Sequence, residues 1–238
     1  MLDKVIRRVY NAQCKKKESG DQPMKKTLYS LMLNEEVVRE IDRMAHRMGT
    51  NRSALINQIL ADYTSVVTPE RRIENIFHEI EQLVAPARDL VPFFAPHTTS
   101  MSLKSSLEYK YRPTVKYEVE LYRWHDESIG QLSVIFRTQS AALISDMTDF
   151  FRLWHGIEQK YLPHYGVENV DYALYYNKFC RSIVVPKKNS STEELAQAIS
   201  GYIELFDKLM KGFLAGRYSP ADIEHCYAEY IARQSIII

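Results

Sequence analysis

Cysteine is scarce in this chain. Cys14, Cys180 and Cys226 are odd in number, far apart and without a CxxC neighbour, which argues against a disulfide framework. Long apolar runs are missing too. No stretch of about 18 apolar residues occurs, so no transmembrane helix is expected. The opening "MLDKVIRRVYNAQCKKKE" lacks the apolar core of a secretory signal. These absences make a soluble, cytoplasmic protein with no membrane partner the expectation. Glycine-rich phosphate loops are absent, as are GxxxxGK followed by Ser or Thr, HExxH and GxSxG. The seven histidines are scattered. His155 and His164 fit no common metal spacing, His225 and Cys226 diverge if helical, and His125, Asp126 and Glu127 read as a solvated turn. Neither catalysis, nor a metal, nor a cofactor is therefore expected.

A strong overall charge is also lacking, since the formal net charge is +1. Its distribution is uneven. Residues 1–67 carry a net +4, concentrated in Arg7–Arg8, Lys15–Lys17 and Lys25–Lys26. Such clustering at one end favours a polyanion as partner.

What is present divides the 238 residues into four parts. Residues 1–23 read as a basic arm and linker, broken by "ESGDQP". Residues 24–67 open with "KKTLYSLML", a short strand. Tyr29, Leu31 and Leu33 fall on one face of it, and Leu28, Ser30 and Met32 on the other. Asn34 then caps a helix whose apolar stripe is Val37, Ile41, Met44, Ala45 and Met48, and which Gly49 ends. A second helix follows from Asn51, with Leu55, Ile56, Ile59, Leu60 and Tyr63 as its stripe. About 40 residues cannot bury enough surface alone, and a lone strand leaves its ladder groups unpaired. Pairing with a second copy solves both problems, so a homodimer or higher homo-oligomer is expected.

Residues 68–94 read as a connecting helix with Ile73, Ile76, Ile80 and Leu83 on its apolar side. From 95 to 238 the pattern is three strands, a helix, a further strand over "VDYALYYNKFCRSIVVP" and two helices. No internal repeat appears. The fold class expected is mainly α, with an α+β C-terminal domain and an N-terminal dimerisation unit.

"KKTLYSLMLNEEVVREIDRMAHRMGTNRSALINQIL" resembles the ribbon-helix-helix DNA-binding proteins of the MetJ, Arc and CopG type, over residues 24–63. The resemblance implies that two copies pair their strands into a ribbon that enters the major groove of double-stranded DNA. Leu28, Ser30 and Met32 would then face the bases. Asn51, Arg52 and Ser53, at the start of the second helix, would meet a phosphate, with Lys25 and Lys26 adding phosphate contacts. The outward face departs from the family pattern, which is polar or basic. Here Ser30 alone can hydrogen-bond to a base, while Leu28 and Met32 offer apolar contact to thymine methyls. The resemblance implies a bacterial transcriptional repressor whose C-terminal domain oligomerises, senses a ligand or recruits a protein partner. Two other readings stay open. One is an interaction or scaffold protein that uses the unit for dimerisation. The other is an accessory DNA-binding protein of plasmid partition or mobilisation.

Overall fold

The computed structural model describes residues 29–87, 89–95, 98–108, 112–123, 127–186 and 190–238. Three capped helices come first. α1 spans Glu35–Arg47, with the Asn34 side chain accepting from the Glu36 N–H at 2.9 Å and acidic residues in its first turn. Gly49 follows at φ +63°, the left-handed conformation that turns the chain. α2 spans Arg52–Tyr63 and is capped by Asn51, which accepts from the Ala54 N–H at 2.9 Å. α3 spans Pro69–Val84, with Thr68 as cap and Pro69 in its first turn.

After a 3₁₀ turn at Ala85–Ala87, six strands and three more helices build the rest of the chain. The strands are β1 (Val91–Phe93), β2 (Ser100–Ser106), β3 (Thr114–Leu121), β4 (Ser128–Phe136), β5 (Tyr172–Tyr175) and β6 (Lys178–Val184). They form one sheet in the order β1-β2-β3-β4-β6-β5, with every neighbouring pair antiparallel. α4 spans Ala141–Tyr161, α5 Thr192–Leu214 and α6 Pro220–Arg233. Ser191 with Glu194, and Ser219 with Asp222, close capping boxes at the starts of α5 and α6.

Register decides which residues meet the helices. Leu103, Tyr117, Val134 and Phe179 stand opposite one another on successive strands, and so do Met101, Val119, Leu132 and Arg181. All are buried. Against them lie Phe150, Phe151 and Trp154 of α4 and Phe206 of α5. Phe206 touches the rings of Tyr117, Phe151, Trp154 and Phe179. The alternate residues, such as Lys104, Lys116 and Glu120, form the outer face. α3 is part of the same core: Ile73, Ile76, Phe77, Ile80 and Val84 are buried in it, while Leu83 is exposed.

The expected fold class, mainly α with a small N-terminal ribbon-helix-helix unit and an α+β C-terminal domain, is corrected by this architecture. The chain is mixed α/β, about 53% helix and 19% strand, with six helices and a six-stranded antiparallel sheet among the described residues. Two physical reasons account for the difference. β1 is three residues long and contains Pro92, so it shows no strand periodicity. The run read as one strand after α4 is a hairpin, in which β5 turns back onto β6 through Tyr176 and Asn177. The N-terminal ribbon is also not formed within one chain. Residues 29–33 have no regular secondary structure, and their ladder groups have no strand beside them among the described residues.

Candidate nucleic-acid interface

α1 and α2 form a helical hairpin with little interior of its own. Ala45, Leu55 and Ala61 are the buried apolar residues of this pair. Val37, Met44, Ile59, Leu60 and Tyr63 remain exposed, as do Tyr29, Leu31 and Leu33 just ahead of α1. The two helices are held together outside the apolar stripe by an ion pair. Arg52 at the start of α2 donates from Nε to Asp42 Oδ1 at 2.6 Å and from Nη2 to Oδ2 at 2.5 Å. This fork-to-carboxylate bond holds the Asp42 carboxyl below its usual pKa range and raises that of Arg52.

The expected contact residues fall as follows. Lys25, Lys26 and Leu28 lie outside the described residues. Ser30 and Met32 are exposed, and Met32 is as accessible as in an extended peptide. Asn51, Arg52 and Ser53 come together at the exposed start of α2. Asn51 Oδ1 takes the Ala54 N–H, which leaves the Arg52 and Ser53 backbone N–H groups without an intrahelical acceptor. Those two groups and the positive end of the helix dipole suit an anion. The Arg52 guanidinium is shared with Asp42, so a phosphate there competes with an exposed carboxylate, whose hold is weakened by solvent.

The body of the chain holds a polar cluster that sequence reasoning did not single out. Arg181 on β6 and Glu158 on α4 are both fully buried. Arg181 Nε lies 3.1 Å from each Glu158 oxygen, its Nη1 donates to the Ser182 carbonyl at 3.1 Å, and its Nη2 donates to the Ile238 carbonyl. Tyr172 donates its hydroxyl to Glu158 at 2.8 Å, and the guanidinium sits 4.6 Å from the centre of the Tyr202 ring. Each guanidinium nitrogen finds an acceptor within the protein, so the cluster is built for cohesion rather than for ligand capture. A sequence signal existed: Glu158 continues the Phe150, Phe151 and Trp154 stripe of α4, and Arg181 sits between Phe179 and Ile183 on the inward positions of β6.

A cleft of about 410 Å³ opens beside the Gly166 turn and the end of β6, walled by Val184, Pro186 and Ile237 and edged by Glu127, Glu168 and Asn169. Among the described residues no cluster of His, Cys, Asp and Glu has metal-site geometry, and no helix is long and apolar enough to cross a membrane. His125 and Asp126 lie outside the described residues. A scan against protein-family models, a search of curated proteins and a search of solved structures each found no match to this chain.

Proposed function

We propose that the chain is a homodimeric, cytoplasmic DNA-binding protein, a transcriptional repressor in which residues 24–63 act as a ribbon-helix-helix unit. One observation carries the reading. A capped helical hairpin shows much of its apolar stripe to solvent immediately after a segment that has no strand partner among the described residues. A second copy supplies both missing parts, an antiparallel strand for residues 25–33 and an apolar face for Val37, Met44 and Ile59. The paired ribbon then presents Leu28, Ser30 and Met32 to the major groove, and the start of α2 takes a phosphate. The C-terminal body serves oligomerisation, sensing or recruitment of a protein partner.

The test is fluorescence anisotropy of the full chain on duplex DNA across a salt series. Binding at low salt that weakens steeply as salt rises is expected. Arg52→Ala is expected to weaken unrelated sequences alike, several-fold, because a phosphate contact positions without specifying. No association at low salt refutes the reading.

The exposed apolar Met32 and the engagement of Arg52 with Asp42 favour a second reading, in which the unit docks a protein. Met32→Lys separates the two. On DNA it adds a cation to the groove-facing side and tightens binding, whereas in a protein contact it places a charge in an apolar interface and abolishes the complex.

A further inference from the structure

The outer face of the sheet carries a row of cations that the N-terminal unit does not involve. Register places Val91, Lys104, Lys116, Ile135, Lys178 and Tyr175 side by side across all six strands. Arg137, two residues past Ile135, alternates onto the same face and is exposed. One step beyond Lys104 and Lys116, the exposed Ser106 and Thr114 pair with each other and add two hydroxyls. The face therefore ends in four positive charges and two hydrogen-bonding groups.

Its acids are engaged or set back. Glu118 lies in the next row and Glu120 in the one beyond it, toward the other end of β3, and Glu108, two residues past Ser106, is paired with Arg217 at 3.5 Å. Lys116 is paired with Glu118 at 2.7 Å on its own strand. Lys104, Lys178 and Arg137 have no ion-pair partner among the described residues. Lys104 stands directly opposite Lys116, and like charges so placed on neighbouring strands destabilise a sheet. The arrangement costs the isolated protein stability and becomes favourable when an anion lies along the row.

We propose that this row is a second contact surface for the phosphate backbone of duplex DNA. The inference rests on the DNA-binding reading above and adds to it a source of affinity. A ribbon face with Ser30 as its one polar member has no bidentate base reader, so its affinity must come largely from phosphates. Lysine is a compact point charge suited to phosphate, and the hydroxyls of Ser106 and Thr114 donate to phosphate oxygens. Lys104 to Lys178 spans three inter-strand spacings, on the order of 14 Å, which is long enough to follow several phosphates. An acidic protein fits less well. Protein interfaces centre on apolar and aromatic residues and are poor in lysine, whereas Ile135 is the one apolar residue between these lysines.

The experiment compares the full-length wild type with the triple variant Lys104→Gln, Arg137→Gln, Lys178→Gln on duplex DNA. Anisotropy is followed as log affinity against log salt. Each phosphate contact contributes about −0.9 to that slope, so the variant's slope is expected to be shallower by about 2–3, equally for unrelated sequences. A charge-preserving variant, Lys104→Arg, Arg137→Lys, Lys178→Arg, keeps the wild-type slope. A control that removes two cations from elsewhere, Arg152→Gln with Arg217→Gln, also keeps it. Melting curves by circular dichroism confirm that the variants fold, and relief of the Lys104–Lys116 repulsion predicts no loss of thermal stability. A triple variant with the wild-type slope on duplex DNA overturns the inference while leaving the N-terminal reading intact. So does a variant that loses binding to RNA or to an acidic protein but not to duplex DNA. Absence of any DNA binding by the wild type at low salt overturns both readings together.

Discussion

Arg181 keeps its charge in the interior because each of its guanidinium nitrogens has an acceptor and a carboxylate stands beside it. Burial, the largest single influence, pulls its pKa down, but the Glu158 carboxylate together with Tyr202, Tyr172 and Tyr227 pushes it up, and the net shift is upward. Replacing one partner strands the other. Arg181→Met is expected to cost about 3–5 kcal/mol, read by urea unfolding, because it leaves a buried carboxylate unpaired. The double variant Arg181→Met, Glu158→Leu is expected to recover most of that loss, and a double variant as unstable as the sum of the singles contradicts this account. His155 gives a pH dependence of known sign. Half-buried with its ring centre 4.4 Å from that of Tyr172, it has its pKa lowered by burial, partly opposed by Glu158. The unfolded chain, at about 6.5, binds the proton more readily. His155 therefore contributes its full share of stability above about pH 6.5 and loses it as pH falls below that value toward its lower folded pKa. Melting temperatures at pH 7.5 and 5.5 should differ less in His155→Gln than in the wild type.

Elements follow from local rules where the chain punctuates itself and not elsewhere. Asn34, Asn51, Thr68, Ser191 and Ser219 all cap the helices that their sequence context announces. Ser191→Ala removes one side of a capping box and is expected to lower stability by about 1 kcal/mol in thermal unfolding. Gly130 is a different case, legible only in the fold. It pairs with Leu121 where the β4–β6 register shifts, and a Cβ there would lie 2.2 Å from the Glu120 carbonyl oxygen. A backbone oxygen cannot step aside as a side chain can. Gly130→Ala is expected to cost about 1–3 kcal/mol, and near-wild-type urea unfolding counts against the close approach. β1 and the β5–β6 turn were not legible, because three residues around a proline, and a turn through Tyr176 and Asn177 inside a run rich in tyrosine, carry no period of their own.

At the scale of the whole molecule, the two regions differ in how they are completed. The sheet and α3 to α6 share one continuous core. The α1–α2 hairpin leaves its stripe outside. If a second copy covers that stripe, stability depends on protein concentration. The melting temperature is expected to rise with concentration in the wild type. Met44→Glu should elute as a monomer in size-exclusion chromatography with light scattering, and should melt independently of concentration. A wild type that is monomeric at high concentration removes the basis of the dimer.

The sequence alone determined the helix starts, most of the apolar side of α3 and the grouping of Asn51, Arg52 and Ser53 at one helix start. These depend on periodicity and capping, which act within a few residues. Tertiary structure decided that Glu158 and Arg181 share one buried site, and that Lys104, Lys116 and Lys178 form a line. Those juxtapositions are set by strand order and register across long loops. Successive pairings of that kind bring Lys104 and Lys178, 74 positions apart, into one row three strands across, and no local pattern encodes it.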